Sequence, residues 1–214
     1  FAVLAALRHR NRTGQGQYID LAQWETSISV TGEAIMEYVM TGRSPGAMGN
    51  LHPRMAPHNT YRCKGDDKWV AIVVASDDEW RRLCETIGQP DLAADKRFAD
   101  PFQRLRHRGE LDAIIAAWTR DREPYEVTEI LQRAGVAASP VLDTGERYFD
   151  PQLQARGVHV EVEHPATGTD IIYGIPWKMS GAPTDVRTHA PLLGQHNGYV
   201  FGEILGMGGD AVQQ

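Results

Sequence analysis

The spacing of apolar and polar positions predicts a chain in which helices and strands are mixed. Helical periodicity is present over residues 1–9, 23–40, 77–88, 102–121, 123–135 and 197–205. Period-two alternation or short apolar runs predict strands over 17–22, 60–63, 68–74, 136–142 and 158–164, with an extended segment over 171–183. The elements between 59 and 165 follow no strict βαβ alternation, so this stretch is predicted to be a compact α+β module.

Turn and capping residues predict where several helices begin and end. Gly14 and Gly42 follow the first two helical stretches and are predicted to end them. Ser76 precedes three acidic residues and is predicted to cap the helix that follows, and Pro124 suits the first turn of another helix. Residues 42–59, GRSPGAMGNLHPRMAPHN, are too rich in glycine and proline for a regular element, and we expect a linker or a shaped loop.

Composition and charge restrict the class of protein. Of the 214 residues, 42% are hydrophobic and 23% are charged, which is ordinary for a soluble globular chain. The formal net charge of −6 argues against a nucleic-acid partner, because such proteins present a broad basic surface. No apolar run approaches the roughly 20 residues that span a bilayer, and no segment resembles a signal peptide, so we expect a cytoplasmic protein without a membrane partner. Because Phe1 lies within an apolar run, we expect a piece of a longer protein.

Several common catalytic and cofactor motifs are absent from the sequence. The Gly-Gln-Gly corner at 14–16 lacks the third glycine of a dinucleotide fingerprint and follows a helix, so it is predicted to be a helix end. There is no Walker A loop, GxSxG elbow or HExxH array. Cys63 and Cys84 have no companions for zinc, and we expect no metal and two buried thiols in a reducing compartment. Asp77 and Asp78 are more simply first-turn residues than an acid pair.

Two residues of the 42–59 segment have side chains suited to an anionic ligand. Arg54 offers a planar fork that fits carboxylate or phosphate, and His52 lies two positions before it. The alternative is that His52 caps a turn and Arg54 points to water. The basic cluster over 8–12 is predicted to be a solvated helix end. The residues alone therefore leave both interpretations of the loop open and provide no complete catalytic set.

Five short segments, in order along the chain, form a pattern that is more specific than any one of them. They are AALRHRNRTGQGQYIDLA at 5–22, GNLHPRMAPHNTYRCKGDDKWVAI at 49–72, RFAD at 97–100, GVAASPVLD at 135–143 and APLLGQHNGYVFGEILG at 190–206. Together they resemble the family III CoA-transferases, the group that includes formyl-CoA transferase, carnitine CoA-transferase and the α-methylacyl-CoA racemases.

The resemblance implies an α/β fold with a small α+β domain inserted between two segments of a large Rossmann-like domain, and an interlocked dimer. The implied segments are 1–21, which ends the N-terminal part of the large domain; 22–55, a crossover helix and active-site loop; 56–165, the small domain; and 166–214, the return to the large domain. It also implies that this chain exposes apolar helix faces over 1–7 and 24–40, since both need partner surface.

The resemblance also implies an enzyme that moves CoA between an acyl-CoA thioester and a carboxylic acid through an aspartyl-CoA intermediate. No permanently bound cofactor is expected, because the CoA thioester is the substrate. The nucleophilic aspartate is expected N-terminal to Phe1, so this chain is expected to hold no catalytic residue and to be inactive alone; Asp20 occupies a later motif position. The residues expected to contact substrate belong to a loop that closes over the thioester: Gly49, Asn50, His52, Arg54, Met55 and Ala56.

Three alternatives remain at this point. The racemases place a glutamate in an I-E-P-x-F context after the second small-domain strand, whereas residues 75–80 here are ASDDEW, which favours a transferase. The chain could instead belong to a non-catalytic subunit of a heteromeric transferase, although a homodimer is the first expectation. An unrelated α+β binding module requires the five segments to be coincidental.

Overall fold

The computed structural model describes residues 1–44 and 46–209 and contains helices and strands in mixed order. The helices are α1 Ala2–Thr13, α2 Gln23–Ser29, α3 Gly32–Thr41, α4 Asp77–Thr86, α5 Pro101–Arg106, α6 Arg108–Thr119, α7 Pro124–Arg133, α8 Thr144–Phe149 and α9 Pro151–Ala155. A 3₁₀ turn covers Pro90–Ala93 and a wide π-type helix covers Gly198–Ile204. The strands are β1 His58–Arg62, β2 Trp69–Val73, β3 Ala137–Val141, β4 His159–His164 and β5 Gly168–Tyr173.

The strands form two separate sheets. β1, β2 and β3 make a three-stranded sheet in that order, so β3 joins a pair of strands that precede it by more than sixty residues. β4 and β5 form an antiparallel pair whose register runs from His159 opposite Tyr173 to His164 opposite Gly168. The strands predicted near 60–63, 68–74, 136–142 and 158–164 are therefore confirmed, with shifts at their ends.

Contacts between Cα atoms divide the chain into two compact units, one of Phe1–Thr60 with Val73–Ala113 and one of Tyr61–Ile72 with Ile114–Gln214. The buried apolar residues of the first unit include Ala56, Val74, Trp80, Leu83, Cys84, Ile87, Phe98 and Leu111. Those of the second unit include Tyr61, Cys63, Val70, Ile72, Ile115, Val127, Leu131 and Val136. The domain segments expected from the family resemblance remain a prediction.

Side-chain caps explain where four helices begin. Ser76 accepts a hydrogen bond from the backbone N–H of Glu79 at the start of α4, as its position before three acidic residues predicts. Asp100 and Asp150 cap α5 and α9 in the same way. Asp143 forms a reciprocal capping box with Glu146 at the start of α8. Each cap satisfies backbone donors that have no partner within the helix.

Two predicted elements are interrupted and one is absent. The helix predicted over 23–40 is broken between α2 and α3, where the Ser29 and Thr31 hydroxyls donate to carbonyls three residues earlier and compete with helix continuation. The helix predicted over 102–121 breaks at His107, before Gly109. Residues 17–22, predicted as a strand, have no regular structure, because alternation alone does not provide the neighbouring strand that a sheet requires.

The three N-terminal helices carry no buried residue, and their apolar side chains are exposed. Exposed members include Leu4, Trp24, Met36 and Val39, each with more than half of its surface open. The exposure expected over 1–7 and 24–40 is therefore confirmed. Within the described residues, no helix is long and apolar enough to cross a membrane.

Candidate functional site

The candidate site is built around the loop of residues 49–57, which joins the segment after α3 to β1. It opens with a turn in which the backbone N–H of Leu51 donates to the carbonyl of Met48 over 3.2 Å. Gly49 has a φ of +62°, a backbone conformation that suits glycine, while the space around it is open. Glycine is required at this position by conformation and not by crowding. Gly49 therefore shapes the backbone of the loop, and its expected contact with substrate stays a prediction.

Asn50 fixes the start of the loop to the beginning of β1. Its side-chain amide donates to the Thr60 hydroxyl over 2.8 Å. The backbone carbonyl oxygen of Asn50 lies 2.7 Å from His58 Nδ1. Because a carbonyl oxygen can only accept, His58 Nδ1 must donate this hydrogen bond. The loop therefore forms an arch whose two ends lie near β1. We call Asn50 its first foot, and Ala56 with Pro57 its second foot.

His52 is hydrogen-bonded within the arch through one ring nitrogen. Its Nδ1 accepts the backbone N–H of Arg54 over 3.1 Å, so the neutral ring carries its hydrogen on Nε2. The ring lies 5.1 Å from that of His58, centroid to centroid. His58 has the opposite tautomer, with hydrogen on Nδ1. Within residues 1–44 and 46–209, the Nε2–H donor of His52 and the Nε2 acceptor of His58 have no hydrogen-bond partner, a combination suited to a polar ligand.

The remaining predicted residues divide into exposed and buried ones. Arg54 is exposed, and its guanidinium has no hydrogen bond or ion pair within residues 1–44 and 46–209. Met55 is half-buried and Ala56 is buried. His52 thus caps a turn, as the simpler interpretation had it, and Arg54 is open to an incoming anion. Both interpretations of this pair remain compatible with the loop.

A buried arginine, for which the sequence gives no signal, holds the second foot of the arch. Arg104 in α5 donates from Nε to the Ala56 carbonyl over 3.2 Å, and only 2% of its surface is exposed. The carbonyl of Pro57 accepts from the backbone N–H of Val74 over 2.9 Å. Arg104 belongs to a run with Arg106 and Arg108, and nothing in the sequence distinguishes the buried member from its exposed neighbour Arg106.

Asp77 and Asp78 behave as first-turn residues with basic partners. Asp77 accepts from Arg104 Nη2 over 2.7 Å, and Asp78 pairs with Arg81 on the same helix. The Gly-Gln-Gly corner also agrees with prediction, since Gly14 has a φ of 74° and ends α1. Within the described residues, no group of three or more His, Cys, Asp or Glu side chains is arranged to hold a metal ion.

The second unit has a cleft of about 820 Å³ that was not predicted. The Tyr125 hydroxyl donates to Asp150 Oδ2 over 3.0 Å at its wall. Burial, followed by this hydrogen bond, raises the pKa of Tyr125. Arg147 and Glu129 also line the cleft, and these two side chains carry charges of opposite sign.

Comparison with known proteins decides the family. The sequence profile of CoA-transferase family III matches residues 1–197. The chain belongs to this family. The resemblance inferred from five short segments is thereby confirmed over most of the chain.

Relatives and a solved structure support the same assignment. The chain is 35% identical to succinyl-CoA–D-citramalate CoA-transferase of Chloroflexus aurantiacus, over 95% of this chain and 50% of that protein. It is 34% identical to the succinyl-CoA–L-malate CoA-transferase β subunit of the same organism, over 96% of this chain and 51% of the relative. A CaiB/BaiF family protein from Brucella suis superposes with a TM-score of 0.79 at 30% identity, over 95% of this chain and 52% of that one. The chain thus has a mixed α/β family fold and spans about half the length of these relatives.

Proposed function

We propose that this chain is part of an enzyme that transfers CoA from an acyl-CoA thioester to a carboxylic acid. The observation that carries the proposal is the family match over residues 1–197, to which relatives named as CoA-transferases add support. Two of these relatives are named for succinyl-CoA, so succinyl-CoA is the donor to test first. Small dicarboxylic acids such as malate and citramalate are the first acceptors.

The proposed chemistry proceeds through a carboxylate of the enzyme. An aspartate attacks the thioester carbonyl, the C–S bond breaks, and a mixed anhydride and the CoA thiolate form. The thiolate then attacks the aspartyl carbonyl of the anhydride, which releases the donor acid and leaves an aspartyl-CoA thioester. The acceptor carboxylate resolves this thioester by the same two steps in reverse. We place the aspartate outside these 214 residues, N-terminal to Phe1, so that the chain alone is inactive.

The 49–57 loop is proposed to cover the reacting groups. A mixed anhydride is hydrolysed readily, and a loop that excludes water lets it react with the CoA thiolate instead; the same loop protects the aspartyl-CoA thioester until the acceptor carboxylate attacks it. The Nε2–H of His52 and the exposed guanidinium of Arg54 are donors suited to a carboxylate. Gly49 and Asn50 shape the arch. Met55 is half-buried and Ala56 is buried, so these two residues form the less exposed side of the arch.

The dimeric arrangement of the family is proposed for the full-length protein. The exposed apolar faces of α1, α2 and α3 support it, because surfaces of this kind are normally covered by another part of the protein or a partner. In this proposal the small α+β domain is inserted between two segments of a large Rossmann-like domain and the protomers interlock. A homodimer is the first expectation, and the relative named as a β subunit makes a heteromer the alternative.

The test uses the full-length protein with succinyl-CoA and a panel of carboxylic acids. We expect a new acyl-CoA for at least one acceptor and an aspartate that hydroxylamine converts to a hydroxamate. Absence of CoA transfer to any acceptor, together with absence of hydroxamate, would contradict the proposal. A 2-methylacyl-CoA that exchanges its α-hydrogen with solvent deuterium without transferring CoA would support the racemase alternative instead.

The loop is tested separately by Arg54→Ala and Arg54→Lys. If Arg54 contacts the acceptor, Arg54→Ala raises the KM for the carboxylate by about tenfold, which corresponds to the loss of one charge-assisted hydrogen bond, and leaves kcat nearly unchanged. Arg54→Lys keeps the charge and recovers part of the loss. An unchanged KM in both variants would contradict a role for Arg54 in acceptor binding.

A further inference from the structure

Arg104 connects three segments of the first unit that are distant in sequence. Its Nε donates to the Ala56 carbonyl at the end of the 49–57 loop over 3.2 Å. Its Nη1 donates to the Phe98 carbonyl over 3.2 Å, and its Nη2 to Asp77 Oδ1 in the first turn of α4 over 2.7 Å. The three nitrogens of one guanidinium therefore each serve a different segment.

The environment of Arg104 explains why arginine is needed. The side chain is only 3% exposed, and a buried cation is tolerated only when it is paired and hydrogen-bonded. The guanidinium lies 5.6 Å from the ring centroid of Trp80, which adds a cation–π contact. A lysine ammonium keeps the charge but lacks the planar fork, so it cannot reproduce three contacts in different directions.

Ala56 is the residue through which Arg104 contacts the candidate site. The half-buried His52 and the exposed Arg54 lie four and two positions before Ala56 in the chain. The first foot of the arch is fixed by Asn50 through neutral hydrogen bonds near the protein surface. The second foot is held by the buried charged donor of Arg104 at Ala56 and by the backbone hydrogen bond from Val74 to the Pro57 carbonyl. Arg104 thus contributes a buried side-chain constraint on where the second foot lies.

We propose that Arg104 is a positioning residue for the proposed CoA transfer: through Ala56, it holds the 49–57 loop in the conformation that keeps water from the reacting thioester. This inference rests on the proposed function. Arg104 contacts neither substrate nor the reacting atoms, so its effect is on the loop. If the second foot is loosened, the loop opens, and water then competes with the acceptor carboxylate for the aspartyl-CoA thioester. Attack by water on this thioester releases free CoA and regenerates the aspartate.

The main readout is the partition between hydrolysis and transfer in the full-length protein. Hydrolysis of the donor acyl-CoA releases free CoA, whereas transfer yields the acceptor acyl-CoA, and the two products are quantified together. Their ratio does not depend on how much enzyme is folded, so a purely structural defect leaves it unchanged. We expect Arg104→Gln to raise the hydrolysed fraction by about tenfold, the factor expected for one lost charge-assisted hydrogen bond, and Arg104→Lys to raise it less.

Asp77→Asn is the matched control. It removes the charge from the partner of Arg104 in α4 but leaves the donors to Ala56 and Phe98 in place. Asn also keeps an oxygen that accepts from Nη2, so we expect the hydrolysed fraction of Asp77→Asn to rise much less than that of Arg104→Gln. An equal rise in Asp77→Asn and Arg104→Gln, or no rise in any Arg104 variant, would overturn the proposal.

Amide hydrogen exchange gives a second readout that needs no activity. The Val74 amide, which donates to the carbonyl of Pro57 next to Ala56, reports directly on the second foot. In Arg104→Lys, the milder variant, this amide and the peptide of residues 50–57 are expected to exchange faster, while the Ile87 amide at the end of α4 is unchanged. Uniformly faster exchange, or none at the loop, would overturn the positioning role. If the wild type transfers no CoA, the proposed function fails, and the exchange result still decides whether Arg104 holds the loop.

Discussion

The two cysteines illustrate how burial determines side-chain chemistry at the scale of single residues. Cys63 and Cys84 are free and buried, and burial raises the pKa of the Cys63 thiol to about 11 and that of Cys84 to about 12. The thiolate is the reactive form, so both residues are protected at neutral pH. We expect no reaction of the native chain with a thiol reagent at pH 8 and reaction of both cysteines after unfolding in urea.

The same pKa shifts predict how stability responds to alkaline pH. A folded-state pKa above the ordinary value of about 8.5 means that the unfolded state loses its thiol proton first. The free energy of unfolding should therefore fall as the pH rises above about 8.5, and Cys84→Ala should reduce this dependence. Urea unfolding at several pH values between 7 and 10 measures how the free energy of unfolding depends on pH. Rapid native reaction at pH 8, or a stability that rises with pH in this window, would contradict the burial of the thiols.

The cap of α4 gives a prediction at a single hydroxyl group. Ser76 Oγ accepts from the Glu79 amide, and its removal leaves that donor without an intrahelical partner. Ser76→Ala is expected to lower the free energy of unfolding by about 1 kcal/mol. Ser180→Ala, an exposed serine outside every helix and strand, is the control and should change stability by less than about 0.5 kcal/mol. Equal effects of the two substitutions would show that the cap contributes nothing.

At the scale of elements, α7 depends on apolar burial against β3. The α7 helix has buried residues at 124, 127, 128 and 131, spacings that form one face of a helix. Leu131→Ala is expected to lower the free energy of unfolding by about 2–5 kcal/mol, because it removes buried contacts and leaves a cavity. Leu193→Ala makes the same change at a fully exposed leucine and should have almost no effect. Urea unfolding of both variants measures the difference between their free energies of unfolding.

Helix ends were predictable from sequence because their signals are local. Ser76 and Pro124 act within one turn of the residue that carries the signal, and the structure has both where they were predicted. The break between α2 and α3 was missed, because it depends on competition between side-chain and backbone hydrogen bonds at Ser29 and Thr31. The apolar period continues through that break, so periodicity alone could not reveal it.

The position of the candidate loop in the sequence was predictable, but its conformation and contacts were not. Glycine and proline content marks residues 42–59 as irregular, and the family pattern selects the part that begins at Gly49. The contact of Arg104 with Ala56 spans 48 positions of sequence. One arginine among several in α5 carries no sequence signal for burial, because burial is set by tertiary packing. The tautomers of His52 and His58 likewise follow only from their partners in space.

At the scale of the whole molecule, the distribution of burial distinguishes two parts of the chain. Buried residues are concentrated between Ala56 and Ala138, whereas α1, α2 and α3 have none. The apolar side chains of these helices are spaced as on core-facing helices, yet they meet water. The family match begins at residue 1, so these helices lie within the part of the chain that the family profile covers. Apolar surface of this extent favours association.

This surface leads to the last prediction, which concerns the 214-residue chain as a purified polypeptide. At micromolar concentration we expect it to sediment as species larger than its mass of 23.8 kDa and to bind a dye that reports exposed apolar surface. Met36 and Val39 lie three residues apart on α3, on the same helix face, and both are exposed. A double substitution, Met36→Glu with Val39→Glu, should reduce both association and dye binding. Phe102→Glu places one charge at an exposed apolar residue of α5 and should change them little. A monodisperse monomer without dye binding would contradict the view that these helices require a covering surface.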